Sequence, residues 1–82
     1  MAEKSGIVAI LAENVRRLRK AAELSQEALA LEAGLDRTYI SQVERRQRNV
    51  TIEVLARLAR ALGTTPDQLL VPAKKAKASG RD

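Results

Sequence analysis

The sequence contains neither cysteine nor histidine among its 82 residues. Without cysteine the chain can form no disulfide and no thiolate metal site. Without histidine it lacks the commonest general base, and with it the serine–histidine and cysteine–histidine nucleophile pairs. Because a glycine-rich phosphate loop and an acidic metal cluster are also missing, we expect no enzyme activity, no metal and no cofactor.

Aromatic residues are almost absent, since Tyr39 is the only one. The apolar residues are leucine, isoleucine, valine and alanine, and leucine and alanine favour helices whereas aromatic residues favour strands. We therefore expect an all-α fold. No apolar run approaches the roughly 20 residues that cross a bilayer, and the stretch 7–12 is too short for a secretory signal, so we expect a cytoplasmic protein.

The positive charge is concentrated in two places. The net charge is +5, with four arginines and one glutamate within residues 37–48, and four basic residues and one aspartate after Pro72. Two basic clusters on an otherwise balanced chain indicate a polyanionic partner. The length allows one small domain with a thin core, and such domains often gain stability by dimerising.

The apolar spacing predicts five short helices. Four polar residues are placed as N-caps of the first four, namely Ser5, Ser25, Asp36 and Thr51. The first helix runs from about residue 7 to 22, with Asn14, Arg17 and Lys20 turned away from its apolar face. Glycines 34 and 63 end the second and fourth helices, and the third spans about 37–45.

A capping-box pattern at residues 65–68, with proline at the first helical position, predicts the fifth helix. The chain then divides into a flexible arm at 1–6, a helical domain at 7–71 and a basic tail at 72–82 that we expect to be disordered. The composition of the tail is compatible with a DNA contact, a docking role or neither.

Two short helices joined by a tight turn at Gly34-Leu35 match the helix-turn-helix unit. Around this turn the sequence resembles the lambda-repressor/Cro-type (Xre-like) regulators. The matching positions are 18–19, 24–30, 33–41, 43–45, 55, 58–59, 61–63 and 67–70. Residues 36–41 and 45–50 also resemble the small controller proteins of restriction–modification systems. The resemblance implies a compact five-helix, lambda-repressor-like DNA-binding domain whose helix-turn-helix spans 26–45.

The third helix carries the candidate base-reading residues, which lie away from its apolar Ile40 and Val43 side: Arg37, Thr38, Ser41 and Gln42. In the major groove an arginine can bond guanine through two hydrogen bonds, a glutamine can do the same for adenine, and a threonine methyl can contact thymine.

The candidate ligands of the DNA phosphates flank that helix: Gln26, Tyr39, Arg45, Arg46, Arg48 and Asn49. For Gln26 and Arg45 the resemblance implies the contact, and the free amides of a helix N-terminus also attract phosphate. Tyr39 could equally pack beside the second helix. Arg46 stands where the family often has glycine, so either the loop differs or a phosphate contact offsets about 1 kcal/mol of left-handed strain.

The resemblance also implies an inward ion pair between Arg19 and Glu44, which gives both a structural role. Apolar residues near the C-terminus are candidates for a two-fold dimer interface, the alternative being that all of them serve the core of one chain: Val54, Leu58, Leu62, Leu69 and Val71.

These features predict a homodimer that binds an inverted-repeat operator in double-stranded DNA and regulates transcription. The alternative is an antitoxin-like or other interaction module that binds an unknown partner protein, as well as or instead of DNA. Such a module alone would not need Arg37, Gln42 or the arginines at 45–48.

Overall fold

The computed structural model describes residues 2–73. Within them the chain forms four α-helices and a short 3₁₀ turn: α1 (Ala2–Ala21), α2 (Gln26–Ala33), α3 (Arg37–Glu44), α4 (Ile52–Ala61) and the turn Asp67–Leu70. No strand occurs in this part of the chain. The all-α prediction is confirmed, but the number of α-helices is four and not five.

The predicted fifth helix is a 3₁₀ turn, which we call the C-terminal turn. Its amides bond three residues back, from Gln68 to the carbonyl of Thr65 and from Leu69 to that of Pro66. Val71 is extended, with φ −103° and ψ 131°, because the ring of Pro72 disfavours helical geometry in the residue before it. The turn therefore cannot continue into an α-helix.

Helix α1 begins at Ala2, five residues before the predicted start. Ser5 consequently lies inside the helix, and its assignment as an N-cap is wrong. The apolar face begins only near residue 7, but alanine, glutamate and lysine at positions 2–4 are good helix formers and need no apolar spacing to extend a helix. The predicted mobility of residues 1–6 stays a prediction, and the predicted tail lies outside the described residues from position 74 onward.

Two of the predicted N-caps are confirmed by hydrogen bonds. The Ser25 hydroxyl accepts from the amide of Ala28 at 2.9 Å, and the Thr51 hydroxyl accepts from the amide of Val54 at 3.1 Å. Asp36 occupies the N-cap position of α3 with extended backbone, but its side chain makes no capping bond.

All four α-helices end in the same way, with a left-handed residue followed by an amide that bonds back to the last turn. The left-handed residues are Glu23, Gly34, Arg46 and Gly63, at φ between 61° and 72°. The returning bonds, 2.8 to 3.0 Å long, start from the amides of Leu24, Leu35, Gln47 and Thr64. This Schellman geometry suits glycine, so Glu23 and Arg46 carry the strain of a side chain in a left-handed conformation.

Replacing Arg46 with glycine should therefore raise the free energy of unfolding by about 1 kcal/mol, measured by urea denaturation. The exposed Arg46–Glu13 ion pair, 3.7 Å long, contributes little to be lost. The matched variant Glu23→Gly relieves the same strain outside the basic cluster, and we expect a similar gain. If Arg46→Gly lowers the free energy of unfolding while Glu23→Gly raises it, the contacts of the Arg46 side chain stabilise the fold by more than its left-handed backbone destabilises it.

The core lies where α1 and α2 meet α3, α4 and the C-terminal turn. Leu58 and Leu69 were predicted at a dimer interface, but both are fully buried in this core. For these two residues the prediction is wrong, because α4 and the C-terminal turn direct them inward to close the domain. Val54, Leu62 and Val71 keep part of their surface exposed.

Asn14 is fully buried, and its predicted outward orientation is wrong. Its amide donates to the carbonyls of Leu69 and Val71, both at 2.8 Å, and its side-chain oxygen accepts from Arg17 at 3.0 Å. A single side chain thus attaches α1 to the C-terminal turn. Position 14 follows Leu11 by three residues and therefore borders the apolar face of α1. This spacing is the feature of the sequence from which the burial of Asn14 could have been predicted.

Candidate nucleic-acid interface

The outer side of α3 carries the four residues predicted to read bases. Arg37 and Thr38 are exposed, and Ser41 and Gln42 are half-buried, whereas Ile40 and Val43 point into the core. Thr38, Ser41 and Gln42 follow the spacing of three and four residues that places side chains on one helical face. The structure therefore brings these residues together on one side, and their contact with bases stays a prediction.

Helix α3 is fastened to the rest of the domain by Glu44 at its last position. The carboxylate accepts two hydrogen bonds from the Arg19 guanidinium, at 2.7 and 3.0 Å, and a third from the Gln26 amide at 3.1 Å. Arg19 also donates to the carbonyl of Leu24 at 2.9 Å. The predicted inward ion pair is confirmed, and it joins α1, α2 and α3 through one carboxylate.

This ion pair is nearly removed from solvent, with exposed side-chain fractions of 12% for Arg19 and 5% for Glu44. Burial by itself raises the pKa of Glu44, but the hydrogen bonds from Arg19 and Gln26 and the charges of Arg19 and Arg16 outweigh it. The pKa of Glu44 consequently lies below the ordinary glutamate value. The hydrogen bond to Glu44 raises the pKa of Arg19.

Gln26 stands at the first position of α2, where backbone amides are unpaired. The bond to Glu44 uses one N–H of its side-chain amide, so the other N–H remains for an acceptor outside the domain. The side chain is thereby held at the helix N-terminus, beside backbone amides that attract phosphate. The contact itself stays a prediction.

Beyond α3 the chain exposes a cluster of cations. Arg45, Arg46 and Arg48 are exposed in the loop that leaves the helix, together with the uncharged Asn49. Arg48 differs from the others because its Nε donates to Oε1 of Gln42 at 2.8 Å and its guanidinium carbon lies 4.5 Å from the centre of the Tyr39 ring. Tyr39 itself packs against the core and offers its ring face to Arg48, and its contact with phosphate stays a prediction.

An apolar groove lies between the first half of α1, the loop that precedes α4, the start of α4 and the C-terminal turn, and Arg48 and Asn49 of that loop contribute to its lining. Its volume is about 250 Å³, and it contains three of the four large apolar side chains that are exposed in the described residues, namely Ile7, Ile52 and Leu70. Val8, Val50 and Leu55 line its floor. The sequence pattern did not separate these residues from the core.

Within residues 2–73 no helix is both long and apolar enough to cross a membrane. No three side chains of the histidine, cysteine, aspartate and glutamate types come close enough there to hold a metal ion.

The profile of the family described as Helix-turn-helix matches residues 15–69, more than half of the chain. The control protein C.SmaI of Serratia marcescens is 57% identical over 61 residues, which cover 74% of this chain and 73% of that protein.

Two solved structures are also similar. The hypothetical transcription factor from Neisseria superimposes with a TM-score of 0.84 at 42% identity, covering 88% of this chain and 83% of that one. The restriction-modification controller protein C.AhdI from Aeromonas hydrophila superimposes with a TM-score of 0.73 at 45% identity, covering 76% and 94%. In both, the similarity includes the sequence as well as the fold.

Proposed function

Since the chain belongs to the helix-turn-helix (Xre-like) family of DNA-binding transcription regulators, we propose that it binds an inverted-repeat operator as a homodimer. The observation that carries this proposal is the outer face of α3. Its four polar side chains lie together on the outer side, two exposed and two half-buried, and the buried Arg19–Glu44 pair fixes the helix beneath them. A helix fits the major groove of B-DNA, where each base pair presents a distinct set of donors and acceptors.

In this arrangement α3 enters the major groove with its N-terminal end first. Arg37 bonds a guanine through two hydrogen bonds, and Thr38 and Ser41 contact neighbouring base edges. Gln26, Arg45 and Asn49 bind phosphates on either side and hold the register of the helix on the duplex. Arg46, whose side chain reaches back toward Glu13, adds positive charge rather than a directed contact.

Replacing Arg37 with alanine should cost about 1–3 kcal/mol of specific binding and relax the preference at one base position. Replacing Arg45 should instead weaken binding to all sequences alike and lower the salt slope by about one unit. Fluorescence anisotropy on an operator obtained by selection from random DNA, at several salt concentrations, separates the two effects. If the Arg37→Ala protein keeps every wild-type base preference, the base-reading role is wrong.

The apolar groove supports the homodimer. A two-fold axis beside it would let two copies bury Ile7, Ile52 and Leu70 against one another. The half-exposed Val54 lies on α4, Leu62 directly follows α4, and Val71 directly follows the C-terminal turn. The core of so short a chain is thin, so this additional burial stabilises the folded state. A two-fold dimer would place its recognition helices one DNA turn, about 34 Å, apart.

Replacing Ile52 with glutamate should weaken dimerisation at least about tenfold, because the interface would bury an unpaired carboxylate. Leu31 on α2 provides the control, since it is as exposed as Ile52, at 83% and 85%, but lies outside the groove. Sedimentation equilibrium gives the dimer dissociation constant of each variant. An Ile52→Glu protein that dimerises like wild type would exclude this groove as the interface.

The named relatives indicate the regulatory setting. C.SmaI is a control protein and C.AhdI is a restriction-modification controller protein, and we propose that this chain likewise regulates transcription of restriction–modification genes. A restriction endonuclease and a methyltransferase gene beside its own would support that assignment. A toxin gene there would favour the antitoxin alternative.

A further inference from the structure

Gln42, Arg48 and Tyr39 form a connected group on the outer side of α3. Gln42 and Tyr39 are three residues apart and therefore neighbours on the helix surface, while Arg48 reaches back from the loop to touch both. Together they line an open depression of about 540 Å³ that also includes Thr38. One member of the group, Arg48, was predicted from the sequence to bind a DNA phosphate.

The chemistry of the bond fixes the direction of the glutamine amide. A guanidinium has five N–H donors and no acceptor, so the atom of Gln42 that faces Arg48 Nε must be the oxygen. The amide nitrogen of Gln42 then points away from Arg48. The ring of Tyr39 supports the guanidinium from one face, as arginine on an aromatic ring commonly does.

The outward face of the group consequently presents donors. Two N–H groups remain on Gln42, and within residues 2–73 the terminal nitrogens of Arg48 have no hydrogen-bond partner. Guanine offers two acceptors in the major groove, N7 and O6, whereas adenine offers one acceptor and one donor. A glutamine that reads adenine must accept from the adenine amino group with its oxygen, and here one of the two lone pairs of that oxygen is already bonded to Arg48, so the group offers more donors than acceptors to a base.

We propose that Gln42 and Arg48, bonded to each other and supported by Tyr39, act as one donor unit that selects guanine in the operator. This deepens the proposed function, on which it rests, and replaces two separate expectations: adenine reading by Gln42 and phosphate binding by Arg48. Both side chains then contribute to the same base-pair position.

The experiment compares wild type, Gln42→Ala, Arg48→Ala and the double variant on operator duplexes that carry each of the four bases, or 7-deazaguanine, at every half-site position. Binding to each duplex is measured by fluorescence anisotropy. We expect one position at which wild type prefers guanine over adenine by about tenfold or more. Each single variant should lose that preference, and the double variant should lose no more than either one. At that position 7-deazaguanine should weaken wild type but not the Arg48→Ala protein.

Arg60→Ala provides the control, because it removes an exposed arginine from α4 and should leave all base preferences unchanged. The proposal is overturned if the two single variants alter different positions, if only one of them alters any position, or if neither does. It is also overturned if Arg48→Ala weakens all duplexes equally. A wild-type protein that binds every duplex with one affinity would instead contradict the proposed function itself.

Discussion

Replacing Glu44 with alanine is expected to lower the free energy of unfolding by about 3 kcal/mol or more, because it leaves the Arg19 guanidinium almost buried without its counter-charge. Gln26 loses its partner at the same time. Urea denaturation monitored by circular dichroism gives the difference. So large a loss is a substantial part of the total stability of a small domain, which is commonly 5–15 kcal/mol.

The double variant Arg19→Met, Glu44→Leu tests the cause. Removing both charges leaves no buried ion, so most of the stability should return. If the double variant is as unstable as Glu44→Ala, the loss comes from packing and not from the unpaired arginine.

Acid should act on the same carboxylate. Because the folded-state pKa of Glu44 lies below the ordinary value of about 4.3, its ionised form contributes stability that is complete above that pH. This contribution is lost as the pH falls through the lowered folded-state pKa. A Glu44→Gln protein should be less stable than wild type at pH 7, and the gap should narrow in acid.

Replacing Asn14 with aspartate is expected to lower the free energy of unfolding by a comparable amount, at least about 3 kcal/mol. The two side chains have nearly the same shape, because the change only replaces the amide NH2 group with an oxygen. The amide that now donates to the carbonyls of Leu69 and Val71 would become a carboxylate facing two oxygens at 2.8 Å. Protonation would restore one donor, so the deficit should shrink as the pH falls. Thermal melts of wild type and variant at neutral and acidic pH measure both effects.

Glu13→Gln is the matched control, because it exchanges acid and amide at the adjacent, exposed position. We expect its stability to stay within about 0.5 kcal/mol of wild type. An Asn14→Asp protein as stable as this control would show that the bonds to the C-terminal turn contribute little.

The parts of the fold that depend on local chemistry could be predicted from the sequence. Ser25 and Gly34 mark both ends of α2, since a hydroxyl that caps and a glycine that turns left-handed act within a few residues of their own position. The outward face of α3 followed equally from its spacing. The Arg19–Glu44 pair joins residues far apart in the chain, and only the resemblance to the family indicated it.

The parts that depend on tertiary contacts could not be predicted in the same way. Asn14 looks like a surface residue until the C-terminal turn covers it. From the sequence, Leu58 and Leu69 could lie either in the core or at a dimer interface. Their burial in the core depends on where α4 and the C-terminal turn pack. The bond between Arg48 and Gln42 requires the loop after α3 to fold back, which no periodicity describes.

The three hydrogen bonds accepted by Glu44 also affect how the DNA specificity of such a regulator can change during evolution. Arg19, Gln26 and Glu44 satisfy one another, so a change at one of them disturbs the scaffold unless the others change with it. Arg37 and Thr38 are exposed on α3 and make no side-chain hydrogen bond within the described residues. Substitutions at these two positions can therefore accompany a new operator sequence while the scaffold stays intact, so that new DNA specificity can evolve at little cost to folding.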